Sequence, residues 1–255
     1  MKMTKVYSLL LFLFLLIIWE AVVQIKDISK IILPAPTAIG ANLIQHFQSG
    51  YFYPHIFATS IEVLGGFFVG SLLGIGLGFL VAQSKTTQEI LQPYIIASQA
   101  MPKLALAPLL VLWFGFGYTP KIVIVALVCF FPLFESTITG LSHVSREKLA
   151  LFQSLKATRS QTLLKLRLPT AMPYIFSGLR VAVVLSVVGA VISEFIGANK
   201  GLGALIIASQ GMLDTTLMFS VFILLTAKGM ILYQLINWVE TFFFKKYSYS
   251  RGELK

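Results

Sequence analysis

Lys103 lies between Pro102 and Pro108 in an otherwise apolar stretch, Leu91–Phe116, and is the side chain there best placed to act on a polar solute. An ammonium at the centre of a bilayer costs about 2.5–3.5 kcal/mol on insertion scales, so it should face an interior rather than lipid. Three readings stay open: a wall of a solute path shared with Met101, Pro102 and Pro108, a structural pairing, or a position nearer the inner surface. A proline inside a helix removes a donor and frees the carbonyl four residues earlier. Pro102 and Pro108 would thus free those of Ser98 and Leu104. Irregular backbone at membrane depth is tolerated only within protein or beside a water-filled cavity. Glu194 and Lys228 are the other ionisable groups read within apolar runs; Glu194, near the outer end of its run, is the less costly.

Other chemistries find little footing. His46, His55 and His143 sit in separate polar stretches without metal-ligand spacing. Cys129, the single cysteine, lies in an apolar run and reads as a small buried hydrophobe. The spans hold no Ser/His/Asp set or paired carboxylates, and nothing resembles a phosphate-cradling Gly-x-x-x-x-Gly-Lys-Ser/Thr loop. No catalytic residue, metal or cofactor is expected.

The elements that must position Lys103 follow from composition. Of 255 residues, 57% are hydrophobic and 12% charged, with a mean hydropathy of +0.85. A soluble domain carries about 25% charged residues, so the apolar excess must face lipid. Six apolar runs are long enough to span a bilayer: Val6–Val23, Ser60–Ala82, Leu91–Phe116, Ile122–Gly140, Ile175–Ile196 and Leu217–Phe244. The first follows Lys2 and Lys5 as a signal peptide would, but no small-x-small cleavage site precedes the polar residues 24–30, so a retained anchor is preferred.

With both ends inside, thirteen basic residues fall on the inner segments: Lys2, Lys5, Lys85, Arg146, Lys148, Lys156, Arg159, Lys165, Arg167, Lys245, Lys246, Arg251 and Lys255. Only Lys26, Lys30, Lys121 and Lys200 fall outside. This bias is the positive-inside signature, and it accounts for most of the +10 net charge without a nucleic-acid partner. The predicted fold is therefore an all-α integral membrane protein of the cytoplasmic (inner) membrane, multi-pass, with six transmembrane helices and both termini cytoplasmic. Residues 1–32 hold the anchor and the start of the first external loop, 33–244 the transmembrane domain, and 245–255 a basic cytoplasmic tail.

Gly66, Gly70, Gly74 and Gly78 recur every four residues along the second span, on one helix face where another backbone can approach closely. The stripe is either ordinary helix packing or a face that slides between states. In the long inner loop, Leu149, Phe152 and Leu155 alternate with basic and hydroxyl residues at near-helical spacing. Such a helix can lie on the membrane surface or insert into a groove on a partner.

The loop continues into Lys156-Ala-Thr-Arg159 and then Leu168-Pro-Thr-Ala-Met-Pro173 and Gly178-Leu-Arg180. This resembles the inner loop of binding-protein-dependent ABC importer permeases, most closely the nitrate, taurine and sulfonate branch. That branch shows Glu-Ala-Ala, a glycine four residues after its last alanine, then Leu-Pro-x-Ala-x-Pro and Gly-Leu-Arg. Leu33-Pro-Ala-Pro36, Pro102-Lys-Leu-Ala105, Trp113-Phe-Gly-Phe-Gly117, Phe130-Phe-Pro132 and Glu194-Phe-Ile-Gly-Ala198 agree with it, over residues 33–240. Two motif positions depart: Ala150, Leu151 and Phe152 replace Glu-Ala-Ala, and Lys156 replaces the glycine.

The resemblance implies a machine. The loop becomes a cytoplasmic coupling helix between the fourth and fifth spans, docking on an ABC ATPase through Leu149, Phe152, Leu155, Lys156, Ala157, Thr158 and Arg159. ATP is hydrolysed on that separate chain. An extracytoplasmic substrate-binding protein delivers a small organic solute, and two copies of the chain pair about a two-fold axis. The residues themselves, rather than the resemblance, make Met101, Pro102, Lys103, Pro108 and Glu194 the candidates for the translocation pathway. Within the branch, Ala107-Pro-Leu109 through Gly117 and Cys129-Phe-Phe-Pro132 look most like importers of thiamine-precursor pyrimidines or riboflavin. The alternative is an ion-coupled secondary transporter, which would need intramembrane carboxylates or an internal repeat.

Overall fold

The computed structural model describes residues 2–250, and these form helices joined by short turns, with no strands. The helices are α1 (Lys2–Ile25), α2 (Pro36–Gln48), α3 (Tyr53–Val81), α4 (Lys85–Ala100), α5 (Ala107–Phe114), α6 (Tyr118–Ser142), α7 (Arg146–Ser154), α8 (Arg159–Thr162), α9 (Leu168–Glu194), α10 (Leu202–Gly211) and α11 (Thr215–Ser250). A 3₁₀ turn, Lys103–Leu106, precedes α5, and a π turn, Leu163–Arg167, joins α8 to α9. In the π turn Leu168 N–H reaches back five residues to the Leu163 carbonyl. The proline at position 169 removes the donor that Lys165 would need in a regular helix.

Among the described residues, five helices are long and apolar enough to cross a membrane: Val6–Ile25, Tyr53–Val81, Tyr118–Ser142, Arg159–Glu194 and Thr215–Lys245. They match five of the six predicted spans, with α3 and α9 each starting seven residues earlier than the apolar runs suggested. The sixth, Leu91–Phe116, is not one continuous helix. Met101 leaves the helical region (φ −67°, ψ 130°) ahead of Pro102, as a residue preceding proline tends to. Pro108 falls in the first turn of α5, where the missing N–H has no cost. The prolines therefore divide the segment into α4, a 3₁₀ turn and α5. The reading of two freed carbonyls inside one helix is corrected accordingly.

The core is the trio α3, α6 and α9, with α11 packed against α9. Its centre joins Val63 of α3, Val125, Cys129 and Leu133 of α6, and Ala182, Val187 and Ala190 of α9. One end is closed by Phe52 with Leu202, Leu205, Leu217 and Val221, the other by Ala82, Leu141, Ala171 and Ile175. The apolar side chains of α1 are almost all exposed. That helix is held by its Trp19 ring, 5.7 Å from Phe219, and by Glu20, which accepts from Thr37 N–H (3.0 Å) and hydroxyl (2.8 Å). At the far end, α11 runs unbroken to Ser250, so the first part of the predicted tail continues the last long helix. Arg251 and Lys255 of that tail lie outside the described residues.

Candidate functional site

Three regions carry the residues singled out by the sequence. The first is the link from α6 to α9. Ser145 caps α7 by accepting from Lys148 N–H at 3.4 Å, and Glu147 in the first turn favours the helix dipole. The helix ends in a Schellman turn: Ala157 N–H donates to the Phe152 carbonyl and Lys156 N–H to that of Gln153, both at 2.9 Å. This turn requires a left-handed residue, and Lys156 supplies it at φ +51°. It is the position where the family motif has glycine, the residue that enters this region without steric cost. The chain then restarts at once. Thr158 accepts from Gln161 N–H while the Gln161 side chain accepts from Thr158 N–H, a reciprocal capping box that starts α8 at Arg159. Leu149, Phe152 and Ala157 are half-buried, whereas Leu151 and Leu155 are 58% and 69% exposed. The loop thus presents a rigid, doubly capped helix with apolar side chains left uncovered.

The second region is the broken segment against α6. Met101, Pro102 and Pro108 are exposed, and Lys103 is half-buried. Lys103 Nζ donates to the Gln99 carbonyl at 3.3 Å and stands 4.4 Å from the Phe131 ring centre. Gln99 Nε2 donates to Glu135 of α6 at 3.0 Å.

The third region, at the end of the bundle opposite α7, is a polar cluster that the sequence reading largely missed. Glu194 is 1% exposed. Its carboxylate accepts from the Thr59 hydroxyl at 2.6 Å and from Gly203 N–H at 2.5 Å, while Leu202 N–H donates to Thr59 Oγ1 at 2.8 Å. Gly201, at φ +134°, has no room for a side chain, because a Cβ there would overlap the Glu194 carboxylate. His55 Nδ1 receives Gly201 N–H at 3.2 Å. Beside this turn, fully buried Glu62 pairs with Lys121 at 2.8 Å. Lys228 Nζ donates to Ser60 Oγ at 2.6 Å and to the Ile56 carbonyl at 3.2 Å. Charges within the long apolar helices are more numerous than Glu194 and Lys228: Glu20, Glu62, Glu135, Arg180 and Glu240 lie there too. Arg180, read only as part of Gly-Leu-Arg, pairs with Glu240 of α11. The available signal is Thr59 and Glu62, about one turn apart at the start of the second apolar run.

The glycine stripe lies directly against α6. A Cβ at Gly70 would stand 2.6 Å from the Ala126 carbonyl oxygen, at Gly74 2.7 Å from that of Phe130, and at Gly78 2.8 Å from that of Phe134. Gly66 abuts Val125, so each glycine meets α6 about one turn further along.

Residues 70–249 match the model of a family described as the binding-protein-dependent transport system inner membrane component. The chain belongs to that family. It is 35% identical over 226 residues (89% of the chain, 84% of the relative) to a riboflavin transport system permease protein of Chloroflexus aurantiacus. It is 36% identical over 194 residues (76% and 77%) to a formylaminopyrimidine transport permease protein of Halalkalibacterium halodurans. Taurine and aliphatic-sulfonate permeases match too, as the branch resemblance implied. Among solved structures, the fold resembles a chain of the MetNI methionine ABC transporter in an inward-facing conformation. The TM-score is 0.63 at 17% identity, covering 73% of this chain and 93% of that one. The chain is the transmembrane permease subunit of an ABC importer, a multi-pass inner-membrane protein.

Proposed function

We propose that this permease receives the work of ATP hydrolysis through Leu149–Thr158 and passes it to a solute path beside the broken segment. The observation that carries the reading is the doubly capped α7 unit. A short helix fixed at both ends, with Leu151 and Leu155 uncovered, transmits a push from a groove on a partner better than a frayed loop could. Leu149, Phe152, Leu155, Lys156, Ala157, Thr158 and Arg159 form this ATPase surface, and the ATPase is a separate subunit. α4 and α5 together form one interrupted crossing, the sixth span, and the basic inner segments support both termini lying in the cytoplasm. The path is bordered by Met101, Pro102, Lys103 and Pro108. Glu194 acts at its outer end by holding the Gly201–Gly203 turn rather than by touching solute in this state. Two copies pair across the path, and an extracytoplasmic binding protein delivers a small organic solute of the riboflavin or thiamine-precursor kind. The Gly66–Gly78 face fixes α3 to α6 as one body, which favours packing over sliding.

Phe152→Ala tests the coupling surface. Truncating an aromatic anchor at an interface commonly costs about 2 kcal/mol, roughly thirtyfold in affinity. The variant should lose the co-purifying ATPase, or hydrolyse ATP without uptake, while the permease still reaches the membrane. Wild-type capture of the ATPase together with normal uptake would move the coupling site elsewhere on the inner face.

A further inference from the structure

A cavity of about 370 Å³ opens between the broken segment, α6 and α9, and its walls include Gln99, Lys103, Phe131, Glu135, Val128 and Leu185. Gln99, in the last turn of α4, and Lys103, at the start of the 3₁₀ turn, pack on Glu135 and Phe131, which stand one turn apart on α6, and all four border this space. Lys103 and Glu135 carry opposite charge and border the same space, yet among the described residues they form no ion pair within 4.0 Å. Gln99 contacts both by different groups: its main-chain carbonyl accepts from Lys103 Nζ and its side-chain amide donates to Glu135. Charges within membrane-spanning segments usually pair or serve a pathway. A cation and an anion held apart over one cavity, with an aromatic ring and aliphatic walls between, satisfy the polar groups of a ligand rather than each other.

We propose that this cavity is the membrane-depth binding station for the transported solute, and that it selects a small net-neutral molecule with a hydrogen-bond donor and an acceptor over an organic anion. The acceptor meets Lys103 and the donor meets Glu135. An anion would gain at Lys103 and be repelled by Glu135, a like-charge penalty that discriminates as strongly as the attraction does. Charge neutrality is thus set in the permease, in addition to whatever the binding protein selects. The assignment rests on the reading of the broken segment as the solute path.

The test is equilibrium binding of riboflavin, a formylaminopyrimidine and ethanesulfonate to the purified full-length permease–ATPase complex. A neutral probe should bind in preference to ethanesulfonate. Glu135→Gln should weaken it about tenfold, the loss of one charge-assisted hydrogen bond, and narrow the gap to ethanesulfonate. Leu185→Phe should weaken every probe without changing their order, because it narrows the cavity and leaves the charges alone. Retention of the ATPase in each variant reports folding and, separately, the coupling reading. Preference for ethanesulfonate, no binding of either neutral probe, or unchanged selectivity in Glu135→Gln with the ATPase retained would overturn the assignment.

Discussion

Gly70→Ala in α3 offers a calibrated perturbation of the packing that positions every site described. Ordinary contact needs at least 3.4 Å, but a Cβ at this position has 2.6 Å to the Ala126 carbonyl oxygen and 2.9 Å to Cys129 Cβ. Both obstacles are close to or part of the α6 backbone, so the helices must separate by about 0.8 Å locally. A gap of roughly 0.5–1 Å forfeits a quarter to a half of each dispersion contact along the seam. Overpacking of this kind costs about 1–3 kcal/mol. Gly76→Ala is the matched control on the same helix, since a Cβ there meets nothing within 4 Å. It should gain up to about 1 kcal/mol from helix propensity. The two variants should then differ by about 2 kcal/mol or more, roughly 4–8 °C in Tm for a chain of this size. Thermal unfolding of the detergent-solubilised permease reads the difference directly. Equal Tm values for Gly70→Ala and Gly76→Ala would refute the close α3–α6 seam.

Lys156→Gly should stabilise the α7 turn by about 1 kcal/mol, because glycine removes the left-handed penalty, and should retain ATPase capture; hydrogen exchange at Ala157 measures it, and faster exchange would contradict it. Lys121→Ala leaves Glu62 buried and unpaired and should cost about 3 kcal/mol or more in stability. Adding Glu62→Gln should recover much of that loss, and a strictly additive double variant would deny the pairing. Cysteine labelling of intact cells should reach position 49 and miss position 154; the reverse pattern would invert the proposed topology.

The long spans were legible because lipid demands unbroken apolar runs, and α1, α3, α6, α9 and α11 all follow from them. The broken segment was legible as an anomaly but not as a break. Hydropathy cannot distinguish a kinked helix from two short ones, and that outcome turned on Met101 yielding to the proline after it. The Lys156 substitution could be seen only as a departure from a motif. Its left-handed backbone shows that the turn persists there without the glycine. The polar cluster escaped because its members are distant in sequence: Thr59 and Glu194 are 135 residues apart. Individually, Glu62 and Lys121 look like a stray charge in a span and a loop lysine. Only folding brings them to 2.8 Å.

The central claim, that ATP hydrolysed on another chain drives solute through this one, is tested most directly by uptake into proteoliposomes holding the permease and its ATPase. The binding protein and labelled riboflavin or formylaminopyrimidine are supplied on the extracytoplasmic face, and ATP on the other. Accumulation should require ATP, ATPase and binding protein together, and should disappear in Phe152→Ala. Accumulation that persists without the ATPase and follows an imposed ion gradient would contradict the account.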